Sequence, residues 1–237
     1  VGNFLGMKPE KLTDSVIYGV ELDSISGRIA RQLYQRSSIA VQPFEKADLP
    51  DSFFDAAIGN VPFGNFKVID RRYDKHNFFI HDYFFAKAID KVRPGGIIAF
   101  ITSKWTLDKT NSSVREYLAK RAELLGAVRL PNNAFKANAG TEVTTDILFL
   151  QKRDRLKDDV LSEEWLSVEP NFDGLPINHY FNQHPKMILG TMVLESNPYR
   201  DNDTACVPFT GLDLAKLLKE ALGRIQGKIT DRTIKAP

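Results

Sequence analysis

Apolar residues along the chain follow two alternating periods. Ser15 to Glu21 is a short apolar run ending in an acid, and Asp23-Ser24 then caps a helix carrying Ile25, Ile29 and Leu33 on one face. Further short apolar strands are predicted over Ser38 to Gln42 and Phe53 to Asn60, the latter closed by a proline that cannot continue it. Ile80, Phe84, Phe85, Ala88, Ile89 and Val92 recur at helical spacing up to a Pro94-Gly95-Gly96 stop, and Ile97 to Ile101 follows as a fully buried strand. Ser113 and Glu116 form a capping box for a helix reaching about Leu125; Gly126 to Leu130 and Asp146 to Gln151 are two more strands. Alternating strands and helices of this kind predict an α/β fold, a mostly parallel twisted sheet with helices on both faces.

The texture changes after Lys152. Residues 153–159 are a charged run, irregular Pro- and Asn-rich segments follow, and an amphipathic helix runs from Thr210 or Gly211 to about Ile225. This divides the chain into a core over residues 1–152 and an accessory region over 153–237, whose polar end from Lys228 to Pro237 is expected to fray.

Composition narrows the classes. A chain of 237 residues, 43% hydrophobic and 26% charged, buries a real core, and a net charge of +2 neither announces nor excludes a nucleic-acid partner. The single cysteine, Cys206, cannot form an internal disulfide, and no stretch is long and apolar enough to span a bilayer, so a reducing cytoplasm is expected. His76, His81, His179 and His184 do not pair at metal-binding spacing; we expect surface or capping histidines and no metal.

In an open parallel sheet, ligands bind beyond the carboxyl ends of the strands, and Glu21, Asp48 and Asn60 all stand at such ends. An ionised carboxylate such as Glu21 can accept both ribose hydroxyls of a nucleoside, although an acid leading a helix has the same sequence signature. Asn60-Val61-Pro62-Phe63 follows its strand directly. A carboxamide oxygen and the next backbone carbonyl can each accept one N–H of an exocyclic amine, and Phe63 can stack on a base rotated out of its duplex.

These residues resemble the adenine-N6 DNA methyltransferases, whose signature is Asn-Pro-Pro-Phe or Asn-Pro-Pro-Tyr; Val61 stands where the family usually has proline, and its carbonyl is retained. The neighbouring motifs resemble the same family in order and spacing. Tyr18 to Asp23 looks like the ribose-binding strand end, with Leu22 beside Glu21. Asp48 looks like the acid receiving the cofactor's adenine amine, with Ala47 to Pro50, Leu49 included, lining the ring. Val92 to Phe100, Leu130 to Phe135 and Ala139-Gly140-Thr141 leading into Thr145 to Leu150 look like the later strands of Type I restriction modification subunits and of methylase-helicase proteins of mobile elements.

The resemblance covers roughly residues 1 to 152. It implies a Rossmann-like fold, S-adenosylmethionine as cofactor, DNA as partner and methyl transfer to adenine N6 within a larger restriction-modification or mobile-element protein. Gly2-Asn3-Phe4 matches only the end of the family's glycine-rich cofactor loop, so we expect the first strand to be missing, Gly2 and Phe4 to contribute to cofactor binding, and cofactor binding by the isolated chain to be weak. Lys67, Arg71 and Arg72, interleaved with aromatic residues beyond Phe63, are candidate phosphate contacts, partly offset by Asp70 and Asp74. Ser103-Lys104-Trp105 reads mainly as a sheet-edge cap with a half-buried indole. Methylation of an RNA adenine or a protein glutamine, and a non-catalytic nucleic-acid or assembly module, stand as alternatives; a nicotinamide-dependent oxidoreductase would leave Asn60 to Phe63 unexplained.

Overall fold

The computed structural model describes residues 2–140, 142–197 and 200–227. Thr141 and the polar tail from Lys228 lie outside them. The chain forms two compact units, residues 1–50 with 67–77, and residues 51–66 with 78–237.

The first unit contains α1 (Asn3–Gly6), β1 (Tyr18–Glu21), α2 (Ser24–Leu33) and β2 (Ser38–Val41). β1 and β2 pair in parallel, Glu21 opposite Val41, with α2 as the crossover. The Asp23 carboxylate caps α2 by accepting from the Ser26 backbone N–H at 2.7 Å, and this bond holds its pKa below the usual carboxylate value. A Cβ on the buried Gly27 would lie 2.6 Å from the Val41 side chain, so glycine lets the helix lie against β2. Gly27 and Ala30 make that contact face; Ile25, Ile29 and Leu33, predicted as one apolar face, lie on the other side of the helix and are exposed.

The second unit begins with β3 (Phe54–Asn60), α3 (Ile80–Lys91), β4 (Val92–Ser103), α4 (Trp105–Asp108), α5 (Ser113–Ala119) and β5 (Ala122–Leu130). It continues with α6 (Lys136–Ala139), β6 (Thr145–Lys152), β7 (Val168–Pro170), β8 (Pro176–Asn178), α7 (His179–Gln183), β9 (Gly190–Asn197), β10 (Arg200–Pro208) and α8 (Leu214–Leu222). Its main sheet has the order β3-β4-β6-β5. β3 and β4 are parallel around α3, whereas β6 enters antiparallel to both β4 and β5, so the sheet is mixed. Among the described residues β3 pairs only with β4, and as an edge strand it leaves Ile58 exposed.

Two boundaries differ from the sequence reading. The predicted Pro94-Gly95-Gly96 stop is a bulge inside β4: the register with β3 slips between Val92 and Ile97, with Gly95 at φ +73°. α5 ends at Ala119 rather than near Leu125, because residues from Ala122 onward pair with β6. Its cap is Ser112, whose hydroxyl donates to the Glu116 carboxylate at 2.5 Å.

Residue 152 is not a break in the packing. Trp165, Leu166, Ile177, Phe181, Met187 and Leu189 are buried in the same cluster as Phe85, Ile98, Leu118 and Leu148, and the Leu189 N–H donates to the Arg129 carbonyl. The apolar content of the later segments explains this, since a fully buried large side chain stabilises by about 1.5–3 kcal/mol. Inside this cluster the Arg129 guanidinium makes a bidentate pair with Asp146, both bonds at 2.9 Å, and contacts Asp108 at 2.8 Å; all three side chains are buried. Asp108 in turn accepts from the Asn178 backbone N–H. Burial disfavours the charge on Arg129, but the two carboxylates outweigh it and raise its pKa. Cys206 is buried too, its thiol pKa pushed up to about 12 by desolvation.

Candidate active site

In the second unit the carboxyl end of β3 sets the geometry. Asn60 is the last residue of β3, paired with Ile101 of β4, and the Val61 N–H donates to the Ile101 carbonyl at 3.0 Å. Val61 is 3% exposed and belongs to the core, whereas Asn60 and Pro62 are exposed and Phe63 is 38% exposed. Strand alternation therefore anchors Val61 inward and turns the Asn60 carboxamide to solvent. The carboxamide oxygen and the Val61 carbonyl belong to adjacent residues, as two acceptors for one amine require.

The loop that follows the turn leads into a buried histidine at the start of α3. A Cβ on Gly64 would stand 2.6 Å from the ring of the exposed Phe66, which would have to shift to admit a side chain. The His81 ring stacks on Phe79 with centroids 6.1 Å apart and has its Nε2 3.5 Å from Asp82. Burial lowers the His81 pKa, with Asp82 opposing, and burial raises that of Asp82. His81 is thus a core histidine in the first turn of α3, not the surface or capping residue expected from sequence.

A cleft of about 1030 Å³ opens at this end of the sheet, lined among others by Asn65, Phe79, His81, Trp105, Lys109 and Asn132. One wall is fixed by Lys104, whose ammonium reaches Asp203 at 2.6 Å, the Thr204 hydroxyl at 3.0 Å and the Thr204 carbonyl. Trp105 is half-buried, as expected, and also lines the cleft. A second cleft of about 620 Å³ lies at the opposite end of the sheet, around Gly95 and residues 151–157, remote from every candidate of this unit. Sequence reasoning missed Phe79 and His81. Their signal was present, an aromatic-histidine pair entering an apolar helix directly after the loop that follows Phe63.

The first unit carries the other candidates. Glu21 ends β1, and Asp48 follows the neighbouring parallel strand β2 after a single 3₁₀ turn at Phe44–Lys46. One Glu21 oxygen accepts from the Asp23 N–H at 2.9 Å; the half-exposed carboxylate keeps its second oxygen as a further acceptor, and Asp48 is exposed. Leu22 is exposed and Leu49 half-buried over the buried Ala47. These groups fit a nucleoside's hydroxyl and amine donors and its apolar ring. Gly2 has φ +63°, and a Cβ there would meet the Tyr34 ring at 2.5 Å; Phe4 is exposed on α1. Lys67 bonds Asn77, Arg71 is exposed, and the Arg72 guanidinium lies 5.7 Å from the Tyr73 ring centroid. Among the described residues no three His, Cys, Asp or Glu side chains cluster to hold a metal ion, and no helix is long and apolar enough to cross a membrane.

The β1-α2-β2 crossover in one unit and the parallel β3-α3-β4 pair in the other, each strand followed by a helix, are the elements of a Rossmann-like methyltransferase fold. The sequence profile of the N-6 DNA Methylase family matches residues 4–169, and the chain belongs to that family. It is 35% identical over 148 residues to the Defense against restriction protein B of Escherichia phage P1. That match covers 60% of this chain, which spans 6% of the length of the phage protein. Among solved structures, the M protein of the Type I restriction enzyme EcoKI superposes with a TM-score of 0.48 at 22% identity, over 63% of this chain and 34% of the other. A chain from Vibrio vulnificus YJ016, described as a type I restriction modification subunit, gives 0.49 at 17%, over 86% and 50%.

Proposed function

We propose that the chain is the methyl-transfer core for the N6 amine of adenine in DNA, working in the cytoplasm with S-adenosylmethionine, DNA and further domains or subunits of a larger restriction-modification or mobile-element protein as its partners. The observation that carries this reading is the exposed Asn60 carboxamide at the end of β3, held in place by the buried Val61.

An adenine amine is a poor nucleophile because its lone pair is delocalised into the ring. One N–H donates to the Asn60 oxygen and the other to the Val61 carbonyl, which orients the nitrogen lone pair out of the ring plane. Phe63 supplies a ring face for the base, which must leave its duplex to reach the turn. When bound, S-adenosylmethionine would supply an electrophilic methyl group to the nitrogen that Asn60 and Val61 orient, and the amine proton would pass to water. Glu21 would hold the cofactor through its ribose hydroxyls and Asp48 through its adenine amine, with Leu22 and Leu49 as apolar neighbours, Gly2 preceding α1 and Phe4 on it. Lys67, Arg71 and Arg72 offer phosphate contacts.

The test offers duplex DNA, RNA and a glutamine-bearing peptide side by side with methyl-labelled S-adenosylmethionine. Label in N6-methyladenine from DNA, lost with Asn60→Ala, is the expected result. Label in RNA or peptide alone would replace the acceptor, and no label in any arm would leave a nucleic-acid-binding or assembly role.

A further inference from the structure

We propose that Ile69 is a wedge that enters the duplex at the step the target adenine vacates, with the cations beside it on the flanking phosphates. The proposal rests on the reading of DNA as the acceptor and of Asn60 as the residue that binds its amine. The loop leaving the turn exposes a large apolar side chain at every third position, Phe63 at 38%, Phe66 at 54% and Ile69 at 87%. Exposure rises away from the turn, so packing within the fold accounts for Ile69 least of all. A run of exposed apolar residues marks a surface that meets something else.

The loop holds Ile69 out by its own bonds. At its base the Ile80 N–H donates to the Phe66 carbonyl at 2.9 Å and the Phe78 ring meets that of Tyr117, which fixes both ends at the start of α3. Further out, Tyr73 is buried, and the Tyr73 and Asp74 N–H groups donate to the Asp70 carbonyl at 2.8 and 3.0 Å. The Asp74 carboxylate accepts from the Asp70 N–H at 2.9 Å, and that of Asp70 from the Arg72 N–H at 3.2 Å. Each acid thus commits an oxygen to the loop's backbone, whereas Arg71 and Lys75 stand exposed beside Ile69 and suit phosphates. Isoleucine suits a wedge, since a β-branched side chain has few rotamers to lose and apolar residues of this size part base steps. Ile69 is three residues beyond Phe66 and therefore within about 11 Å of it along the chain. A nucleotide that rotates out about its own backbone stays joined to its duplex, so one loop can serve the base at the turn and the gap behind it.

The experiment uses the intact protein. Labelled methyl transfer to unmethylated plasmid DNA locates the target adenine, and a short duplex carrying that site is made with the adenine opposite thymine or opposite an abasic site. Ile69→Ala is expected to lower transfer to the paired duplex by about tenfold or more, because the pair then opens without help. Opposite the abasic site no pair has to open, and the same variant should stay within about twofold of the unmutated protein. Ile69→Leu should keep most of the transfer on both. A side chain this exposed can be replaced without unfolding the chain. A structural role, or a general contact to DNA, would lower transfer on both duplexes alike, and that result overturns the proposal. Full activity of Ile69→Ala on the paired duplex also overturns it, while the methyltransferase reading stands. No transfer from the unmutated protein to any DNA sinks that reading, and the wedge with it.

Discussion

At the carboxyl end of β3 the chain turns Asn60 out to solvent, whereas on β5 and β6 of the same sheet it buries Arg129 and Asp146 completely. Both places put polar side chains on strands, and both look equally suggestive in a sequence. Their surroundings separate them. Arg129 finds Asp146 and Asp108 within 2.9 Å inside the core, so its charge is used up holding β5, β6 and α4 together. Asn60 is held at the end of β3 by its pairing with Ile101 and by the buried Val61 beside it, and its side chain is exposed. Buried polar groups find their hydrogen-bond partners within the fold, whereas an exposed amide keeps its hydrogen-bonding capacity toward solvent.

Four measurements can break or sharpen this contrast. Arg129→Leu should cost about 3–5 kcal/mol in urea unfolding, because it strands two buried carboxylates. A near-neutral result would show that the three charges do not hold the strands. Asn60→Ala should lower turnover on DNA by about 100-fold or more, the scale of removing one preorganised hydrogen-bonding group, while stability stays within about 0.5 kcal/mol; an equal loss of both would place Asn60 with Arg129. Val61→Pro removes the N–H that donates to Ile101 and should cost about 1 kcal/mol, yet turnover should survive because the carbonyl remains.

The smallest effect is expected from pH. The folded pKa of His81 is depressed by burial, so its contribution to stability is present above about 6.5 and is lost as pH falls through the lower folded value. Asp82, raised by burial, has the opposite sign: its contribution is present below the ordinary carboxylate pKa and is lost as pH rises through the folded value. His81→Gln should therefore flatten the stability profile just below pH 6.5, and an unchanged slope there would remove His81 from the account.

Much of the fold was legible because period and punctuation agreed. Asp23 before α2, Asn60 closing β3 and the α3 stripe ending at Lys91 each combine a hydrophobic repeat with a cap or a breaker. Legibility failed where a tertiary partner decided the outcome. Leu124 suits a helix or a strand equally, and pairing with Leu150 of β6 chose strand. Pro94-Gly95-Gly96 reads as a stop, but β3 and β6 on either side of β4 turn it into a bulge. The α2 stripe was found, yet the face meeting β2 is made by Gly27 and Ala30, whose small size carries no hydrophobic signal. Within the site, Asn60 was visible because its motif is contiguous. The cleft was not, since Phe79, Trp105, Asn132 and Thr204 are brought together only by the sheet and the β9–β10 hairpin.

The most direct test of the central claim is nucleoside analysis of unmethylated duplex DNA after incubation of the intact protein with methyl-labelled S-adenosylmethionine, with and without Asn60→Ala. The account predicts labelled N6-methyladenine from the unmutated protein and about 100-fold less or none from the variant. Equal label from both, or label on any other base, would contradict it.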